Sequence, residues 1–352
     1  MGALVQTTNP ADFANRTQTF FNPKLLAALQ YNLVLGTYGM RGKYPAIGQT
    51  IRFFRPRPAN TTSTQAIVEG TTPTNLTEVA VGYVDVPLSQ RGALAKVTDI
   101  VQAIDLLNTV ALYVKTMGAD AALDLDTIIR NALYTGLNGS NATYNTPFQF
   151  YFERFAGVTN TGVSATDFAT QVALTKSNAK HTRANHLGAI TTLKSAKVPM
   201  INGKYVAITP PQVMHDMRQD TTWVSAAVYD VGTLYKNAQM ILDGAAFVEA
   251  TNPGTEGNVY GTITSTDPGT GLIFSLFYLG EDSFGVPELA NDKAGSNPYG
   301  PKLIILAQPD KADPLNLIVT IGWKVFYGAK ALITNQAAEV PRYVQLRCKS
   351  TF

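Results

Sequence analysis

Residues 318–333 read IVTIGWKVFYGAKALI, and alternate positions of this stretch are apolar. Successive side chains of a β-strand point to opposite faces, so one face of such a strand is predicted to be dry and the other mixed. The predicted dry face consists of Val319, Ile321, Trp323, Val325, Tyr327, Ala329, Ala331 and Ile333. At about 3.3 Å per residue the strand would reach ~50 Å, whereas strands of ~17–20 Å are usual. The stretch therefore predicts an unusually long strand.

A second long element is predicted between Thr98 and about residue 135. Apolar or small residues recur there in alternating steps of four and three, which is typical of one face of a helix. This series is Ile100, Ile104, Leu107, Ala111, Val114, Gly118, Ala121, Leu125, Ile128 and Ala132. Thr98 and Asp99 can cap the start, and no proline interrupts residues 88–146. A helix of this length would run ~50 Å, and its small seam residues favour packing on a sheet over a coiled coil.

The remaining chain predicts a mixture of helices and strands. A helix is predicted over residues 22–39, and β-strands are predicted at 50–56, 78–88 and 93–98. A helix ending near Lys197 is followed by a buried strand, a Pro-Pro turn and a short helix within 204–220. Further short strands are predicted at 233–242, 245–251 and 302–308. No internal repeat and no separate linker is evident, so we expect interwoven lobes of one α+β subunit.

Charges are segregated along the predicted hairpin of residues 40–97. A run of bases without any acid comes first, and it consists of Arg41, Lys43, Arg52, Arg55 and Arg57. A run of acids without any base follows, and it consists of Glu69, Glu78 and Asp85. Two interpretations stay open: the charges contact the opposite charge of a neighbouring subunit, or they belong to a solvated loop. We take these eight residues as the candidate inter-subunit site.

Composition narrows the class of protein. The chain has 352 residues, of which 45% are hydrophobic and only 15% charged. A low charge content is typical of proteins with much surface covered by partners. The net charge of +3 is too small for a dedicated nucleic-acid binder. The sequence shows no signal peptide and no apolar run long enough to cross a membrane, so we expect synthesis in the cytosol without membrane contact.

Residues for catalysis or metal binding do not form a recognisable pattern. The three histidines, His181, His186 and His215, and the single cysteine, Cys348, match no metal-site spacing, so structural roles are expected. The carboxylate pair Asp124/Asp126 would diverge on a helix, and the pair Asp216/Asp220 lies in an ordinary strand-turn-helix. Phosphate-loop, dinucleotide-binding and hydrolase motifs are absent from the sequence. We therefore expect no catalytic site, no metal and no cofactor.

Six segments, in this order, resemble a known family. They read IRFFRPRPA, VEGTTPT, GALAKVTDIV, YVAITPPQVMHDMRQD, DGAAFVEAT and DPLNLIVTIGWKVFYGAKAL, starting at residues 51, 68, 92, 205, 243 and 313. Together they resemble the major capsid protein of tailed double-stranded DNA bacteriophages, a shell fold shared with herpesviruses. Within that family the chain is most similar to the branch named after phage N-four.

The resemblance implies a division of the chain into an arm, a loop and two lobes. The implied parts are an N-terminal arm (1–39), an extended β-hairpin loop across a neighbouring subunit (40–97), a peripheral domain (98–195) with a spine helix at 98–135, an axial domain (196–311), and the C-terminal strands of the peripheral domain (312–352). The implied function is self-assembly into an icosahedral head shell that encloses the genome.

The resemblance also implies partners and a location. The chain would form hexamers and pentamers with itself and meet a portal protein. Whether scaffolding and decoration proteins are further partners stays open, and contact with packaged DNA would be unspecific. The subunit would be made in the host bacterial cytoplasm and end in the virion.

Three alternatives stay open at the level of sequence. The same fold forms bacterial nanocompartments, which enclose enzymes instead of DNA. The content of threonine, asparagine and glycine is also compatible with a tail-tube or adhesin protein, although the long uninterrupted helix is not typical of one. The third alternative is an enzyme of unrecognised type.

Overall fold

The computed structural model describes residues 34–44, 48–56, 69–70, 81–98, 109–137, 153–155, 178–219, 238–251, 273–289, 300–306, 317–333 and 341–350. The helices in this part of the chain are α1 (Thr109–Leu137), α2 (Arg183–Ser195), α3 (Pro211–Gln219) and a 3-10 turn at Leu35–Thr37. The strands are β1 (Met40–Gly42), β2 (Thr50–Pro56), β3 (Val81–Pro87), β4 (Ser89–Thr98), β5 (Glu153–Phe155), β6 (Tyr205–Thr209), β7 (Ala238–Leu242), β8 (Ala245–Glu249), β9 (Ile273–Leu279), β10 (Phe284–Pro287), β11 (Lys302–Leu306), β12 (Ile318–Tyr327), β13 (Lys330–Ala331) and β14 (Tyr343–Lys349).

An antiparallel sheet in the order β11-β12-β4 lies against α1. β12 pairs with β4 over its whole length, from Ile318 opposite Thr98 to Tyr327 opposite Ser89. The predicted dry face of β12 is confirmed, because every alternate residue from Val319 to Tyr327 is buried. This face joins the main core together with the buried stripe of α1.

The predicted single strand over 318–333 is wrong in its length. β12 ends at Tyr327, about 33 Å from its start. β13 then pairs with β10 in a different sheet, of order β1-β10-β13. Gly328 lies at the change of sheet, and its missing side chain leaves room for the carbonyl oxygen of Pro87, with which a Cβ would clash. Alternation in the sequence continues across this point and conceals the break.

The predicted long helix is confirmed from residue 109 onward, and its predicted start lies outside the described residues. Thr98 is the last residue of β4, and residues 99–108 lie outside the described part of the chain. α1 runs from Thr109 to Leu137, about 43 Å. The predicted seam is buried from Val114 to Leu125. Beyond that, Ile129 and Leu133 are buried in place of the half-buried Ile128 and Ala132, since a straight helix drifts away from steps of three and four.

A six-stranded sheet of order β5-β14-β9-β6-β8-β7 forms the second layer of the subunit. β6, β9 and β14 are buried at every position, and α2 contacts β14. The predicted strand-turn-helix over 204–220 is confirmed by β6 and α3. The predicted helix ending near Lys197 is α2, which ends at Ser195. Among the predicted short strands, 245–251 contains β8 and 302–308 contains β11, while 233–242 is described only from residue 238, where β7 begins.

The N-terminal segment and the hairpin are partly described. Of the helix predicted over 22–39, residues 22–33 lie outside the described chain, and a 3-10 turn occupies Leu35–Thr37. β2 and β3 form the predicted antiparallel hairpin, and the strand predicted at 93–98 is the second half of β4. None of the described helices is both long and apolar enough to cross a membrane.

Candidate subunit interface

The inner face of the β2–β3 hairpin packs on the subunit. A small cluster consists of Ile51, Phe53, Val84, Val86, Leu88 and Leu332, all buried. Two glycines leave room for the ring of Phe53, since a Cβ at Gly42 or at Gly285 would lie 2.7 Å from it. Alternate residues of both strands are therefore fixed inward, and the remaining residues face outward.

An ion pair lies on the outer face of the hairpin. Arg52 and Asp85 are register partners, and Nε of Arg52 donates to Oδ1 of Asp85 at 2.7 Å while Nη2 donates to Oδ2 at 2.8 Å. The hydrogen bond from Arg52 holds the pKa of Asp85 below its ordinary value. The guanidinium also lies 4.2 Å from the ring centroid of Tyr83. The two opposite charges thus satisfy each other within one chain.

Exposed apolar side chains continue the same outer face. Phe54 and Tyr83 are register partners, 63% and 55% exposed, and Val81 is 50% exposed. Large apolar side chains that are exposed side by side are typical of interaction surfaces, since a partner that covers them removes their apolar area from water. We call Arg52, Phe54, Val81, Tyr83 and Asp85 the hairpin outer face.

Among the described residues, the other predicted charges are not brought into one site. Arg55 donates to the carbonyl oxygen of Leu332, which fixes the hairpin to the subunit. Arg41 is exposed in β1, Lys43 is exposed directly after it, and Glu69 is exposed in a turn. The remaining two charges, Arg57 and Glu78, lie outside the described residues.

Sequence reasoning missed the aromatic part of the hairpin outer face. The signal was present, because Phe54 has the outward parity of β2 while its neighbour Phe53 has the inward one. Two adjacent aromatic residues in a strand cannot both face the core. In β3, Tyr83 likewise has the outward parity, while its apolar neighbour Val84 has the inward one.

Two of the three histidines, His181 and His186, and the single cysteine, Cys348, are buried in the core. The phenol of Tyr278 lies 3.0 Å from Nδ1 of His186 and 3.1 Å from Nε2 of His181, and all three residues are buried. Burial raises the pKa of the Cys348 thiol well above its ordinary value, so it stays protonated. Among the described residues no three potential ligands come close enough to hold a metal ion.

The predicted carboxylate pairs do not form acid–base sites in the described chain. Asp126 is buried and accepts hydrogen bonds from the backbone of residues 34–36, while Asp124 diverges from it and is half-buried. Asp216 is buried on α3 beside His215, and Asp220 lies outside the described residues.

Three solved structures resemble this architecture across most of the chain. No protein-family model and no curated protein matches the sequence. The capsid of Ralstonia phage GP4 matches with a TM-score of 0.63 and 11% identity, over 90% of this chain and 88% of that one. A chain of the capsid asymmetric unit of cyanophage Pam1 gives 0.57 and 18%, over 86% and 85%. The capsid of cyanophage P-SCSP1u gives 0.54 and 12%, over 89% and 90%.

The chain has the capsid fold of tailed bacteriophages. This confirms the fold predicted from the six ordered segments, with its mixed helices and sheets. At identities of 11–18% the likeness concerns the capsid fold as a whole and assigns no role to individual residues.

Proposed function

We propose that this chain is a major capsid protein that self-assembles into the icosahedral head shell around the double-stranded DNA of a tailed bacteriophage. The observation that carries the proposal is the similarity of fold to phage capsids over 86–90% of the chain. A charged fraction of only 15% supports it, since subunits of a shell cover one another. The role is structural, with no catalytic step.

The partners follow from this role. Copies of the chain form hexamers and pentamers, and interfaces of obligate assemblies bury about 2,000 Å² or more. A portal protein, and scaffolding or decoration proteins, complete the particle. Contact with packaged DNA is at the level of the phosphate backbone and needs only a mild positive charge, in agreement with +3. The site of assembly is the host cytoplasm and the final location is the virion.

The sheets support a modified division of the subunit. The proposed arm is residues 1–39 and the extended loop includes β2 and β3. The peripheral domain contains α1 and the β11-β12-β4 sheet, and the axial domain contains α2, α3 and the six-stranded sheet. This moves β4 and β11 to the peripheral side and β5 and β14 to the axial side, because strands of one sheet share their hydrogen bonds. It also moves α2, which packs on β14, from the peripheral to the axial side.

The hairpin outer face is the proposed contact with a neighbouring copy. Its aromatic pair, Phe54 and Tyr83, supplies apolar area, and aromatic residues are enriched at interface centres. Arg52 and Asp85 enter this contact as an already neutralised pair, which lowers the cost of removing them from water.

Negative-stain microscopy of the purified protein tests the proposal. Closed shells are expected from the unmodified chain, and tubes or small monodisperse particles would contradict it. The variant Phe54→Ser with Tyr83→Ser is expected to keep its fold, by circular dichroism, and to stop forming shells. The exchange Phe54→Tyr with Tyr83→Phe is the matched control, because it keeps both rings in place. Shells that contain enzymes and no DNA in infected cells would favour the nanocompartment.

A further inference from the structure

The β11-β12-β4 sheet has a second face, which points away from the core. Val97 of β4 and Leu303 and Ile305 of β11 are buried, and each pairs in register with an inward residue of β12. Alternate residues of the three strands therefore face outward. We call this outward surface the lysine face, and it consists of Leu94, Lys96, Lys302, Ile304, Leu306 and Lys324, together with Ile318 at one end.

The lysine face is strongly one-sided in charge. Its charged residues are Lys96, Lys302 and Lys324, and β4, β11 and β12 contain no aspartate or glutamate. Lys302 and Lys324 are direct register partners, and like charges in that position destabilise a sheet. An arrangement that costs stability in the free subunit becomes favourable when an anionic partner covers it.

Apolar groups are interleaved with these bases. Leu94 is 65% exposed and Leu306 61% exposed, and Ile318 is 40% exposed. Leu94 lies across from Gly322, where an added Cβ would come within 3.0 Å of its Cδ1 atom. The absence of a side chain at Gly322 thus leaves room for Leu94 beside Ile304. The surface offers both cations and apolar area.

We propose that the lysine face binds an acidic protein segment that also carries apolar side chains, supplied by a polypeptide other than this chain. The charge calls for an anion, and the exposed leucines gain nothing from phosphates, so a protein fits better than DNA. A two-fold contact between the lysine faces of two copies would set lysine against lysine, which excludes that symmetric pairing. The proposal rests on the proposed function and goes beyond shell formation, because it assigns this face to a partner other than a second copy of the chain.

Thiol labelling shows whether the lysine face stays open in the assembled particle. Cys348 is buried and protonated, so Leu94→Cys introduces the one reactive thiol of the described chain. A maleimide attached to a polymer too large to enter a closed shell is expected to label this variant equally in free subunits and in shells of the purified protein. Labelling of free subunits alone would overturn the proposal, because the face would then lie between copies or inside. Absence of shells altogether would instead contradict the proposed function.

Two peptides and a DNA duplex test the chemistry of the partner on the same shells. A peptide of glutamate and leucine in equal number is expected to bind about tenfold more tightly than one of glutamate and serine. Lys302→Glu with Lys324→Glu should remove this binding and leave shell formation intact. Lys115→Glu with Lys194→Glu, which makes the same charge change on α1 and α2, should have no effect. Equal binding of both peptides, tighter binding of the duplex, or loss of shells in the first variant would each overturn the proposal.

Discussion

The phenol of Tyr343 donates a hydrogen bond to the carbonyl oxygen of Leu133 at 2.8 Å, although the two residues are 210 positions apart. Leu133 lies in the last turns of α1, and Tyr343 is the first residue of β14. Beside this bond, the ring centroid of Tyr134 lies 5.3 Å from that of Phe277 in β9. The end of α1 is thereby joined to the six-stranded sheet, while the rest of the helix lies on the β11-β12-β4 sheet. Through this junction α1 contacts both sheets.

Tyr343→Phe is expected to lower the free energy of unfolding by about 1 kcal/mol. The change removes one buried hydrogen bond and keeps the ring in place. Urea unfolding followed by circular dichroism measures the effect. Tyr113→Phe on the exposed side of α1 removes a phenol that contacts water, so it serves as the control. Equal unfolding midpoints for the two variants would contradict the role of the Tyr343 bond.

Gly136→Ala gives a test in which two effects have opposite signs. In an isolated helix the change would be stabilising by about 1 kcal/mol. Here a Cβ at Gly136 would lie 2.5 Å from the Cβ of Ala331 and 2.5 Å from the phenol oxygen of Tyr343. We expect the crowding to exceed the gain in helix propensity, with a net loss of about 1–2 kcal/mol. A variant more stable than the parent would show that the junction has room.

Asp126 connects the N-terminal segment to the middle of α1. Its buried carboxylate accepts hydrogen bonds from the backbone N–H groups of Val34 at 2.9 Å, Leu35 at 3.4 Å and Gly36 at 3.3 Å. These N–H groups lie at the start of the 3-10 turn, where they have no acceptor within the turn itself. The carboxylate of Asp126 therefore caps the turn from a distant element. Asp126→Asn should lower the free energy of unfolding by about 2 kcal/mol, because an amide nitrogen would then face backbone donors.

Hydrogen exchange locates the effect of that substitution. The amides of Val34, Leu35 and Gly36 should lose protection in Asp126→Asn, while those of the six-stranded sheet keep theirs. Asp124→Asn is the matched control, since this carboxylate diverges from Asp126 and is only half-buried. Similar protection at residues 34–36 in the two variants would contradict the capping role.

The sequence predicted the parts of the fold that depend on local periodicity. Alternation marked the buried face of β12, and steps of three and four marked the stripe from Val114 to Leu125, because each element buries one face against a single layer. The fully buried β6 was also recognisable as an apolar run before Pro210 and Pro211. Its setting between such breakers is what separates it from a helix.

Pairings across long stretches of chain could not be predicted. The cap from Asp126 joins positions about ninety residues apart, and β14 pairs with β9 across more than sixty. Nothing in the local pattern near Gly328 indicates that Pro87 approaches it. The same limit explains the candidate site: Arg52 and Asp85 are far apart in sequence, and only the register of β2 and β3 shows that they pair.

Acid is expected to destabilise the protein through two buried histidines. Nε2 of His186 faces the carbonyl oxygen of Leu242 at 3.3 Å, so it carries the proton, and Nδ1 accepts from the phenol of Tyr278. The phenol oxygen in turn accepts from Nε2 of His181. Burial lowers the pKa of His181 to about 3 and that of His186 to about 4. Both rings are therefore neutral in the folded protein at pH 5.

The sign of the pH dependence follows from the unfolded chain. There both histidines titrate near pH 6.5, so below that pH the unfolded state binds more protons than the folded state. The contribution of the two neutral histidines to the free energy of unfolding is complete above pH 6.5. As the pH falls from there to about 4, the free energy of unfolding decreases by about 1.4 kcal/mol per pH unit for each histidine. Urea unfolding at pH 7, 6 and 5 measures the slope.

Substitution of the histidines isolates their share of that slope. His181→Gln and His186→Gln should each flatten it, because glutamine does not titrate. Asn185→Gln on α2, next to His186, introduces a glutamine without removing a titrating group and is the control, for which the slope should stay as in the parent. An unchanged slope in both core variants would assign the acid sensitivity to other groups.

The ion pair on the hairpin outer face provides a test of the interpretation that the segregated charges contact a neighbouring subunit. If Arg52 and Asp85 bind only each other, then the variant Arg52→Asp with Asp85→Arg keeps an ion pair at the same register position. This variant should form shells as the parent does. If Arg52 and Asp85 instead bind opposite charges of a neighbouring copy, the exchanged variant places like charges next to each other across that contact, and shells should be lost. Arg52→Gln should also raise the pKa of Asp85 towards its ordinary value in a carboxyl NMR titration, whereas Arg41→Gln on β1 should not. Because the aromatic pair Phe54 and Tyr83 is untouched in the exchanged variant, loss of shells there would move the proposed contact from apolar area to charge.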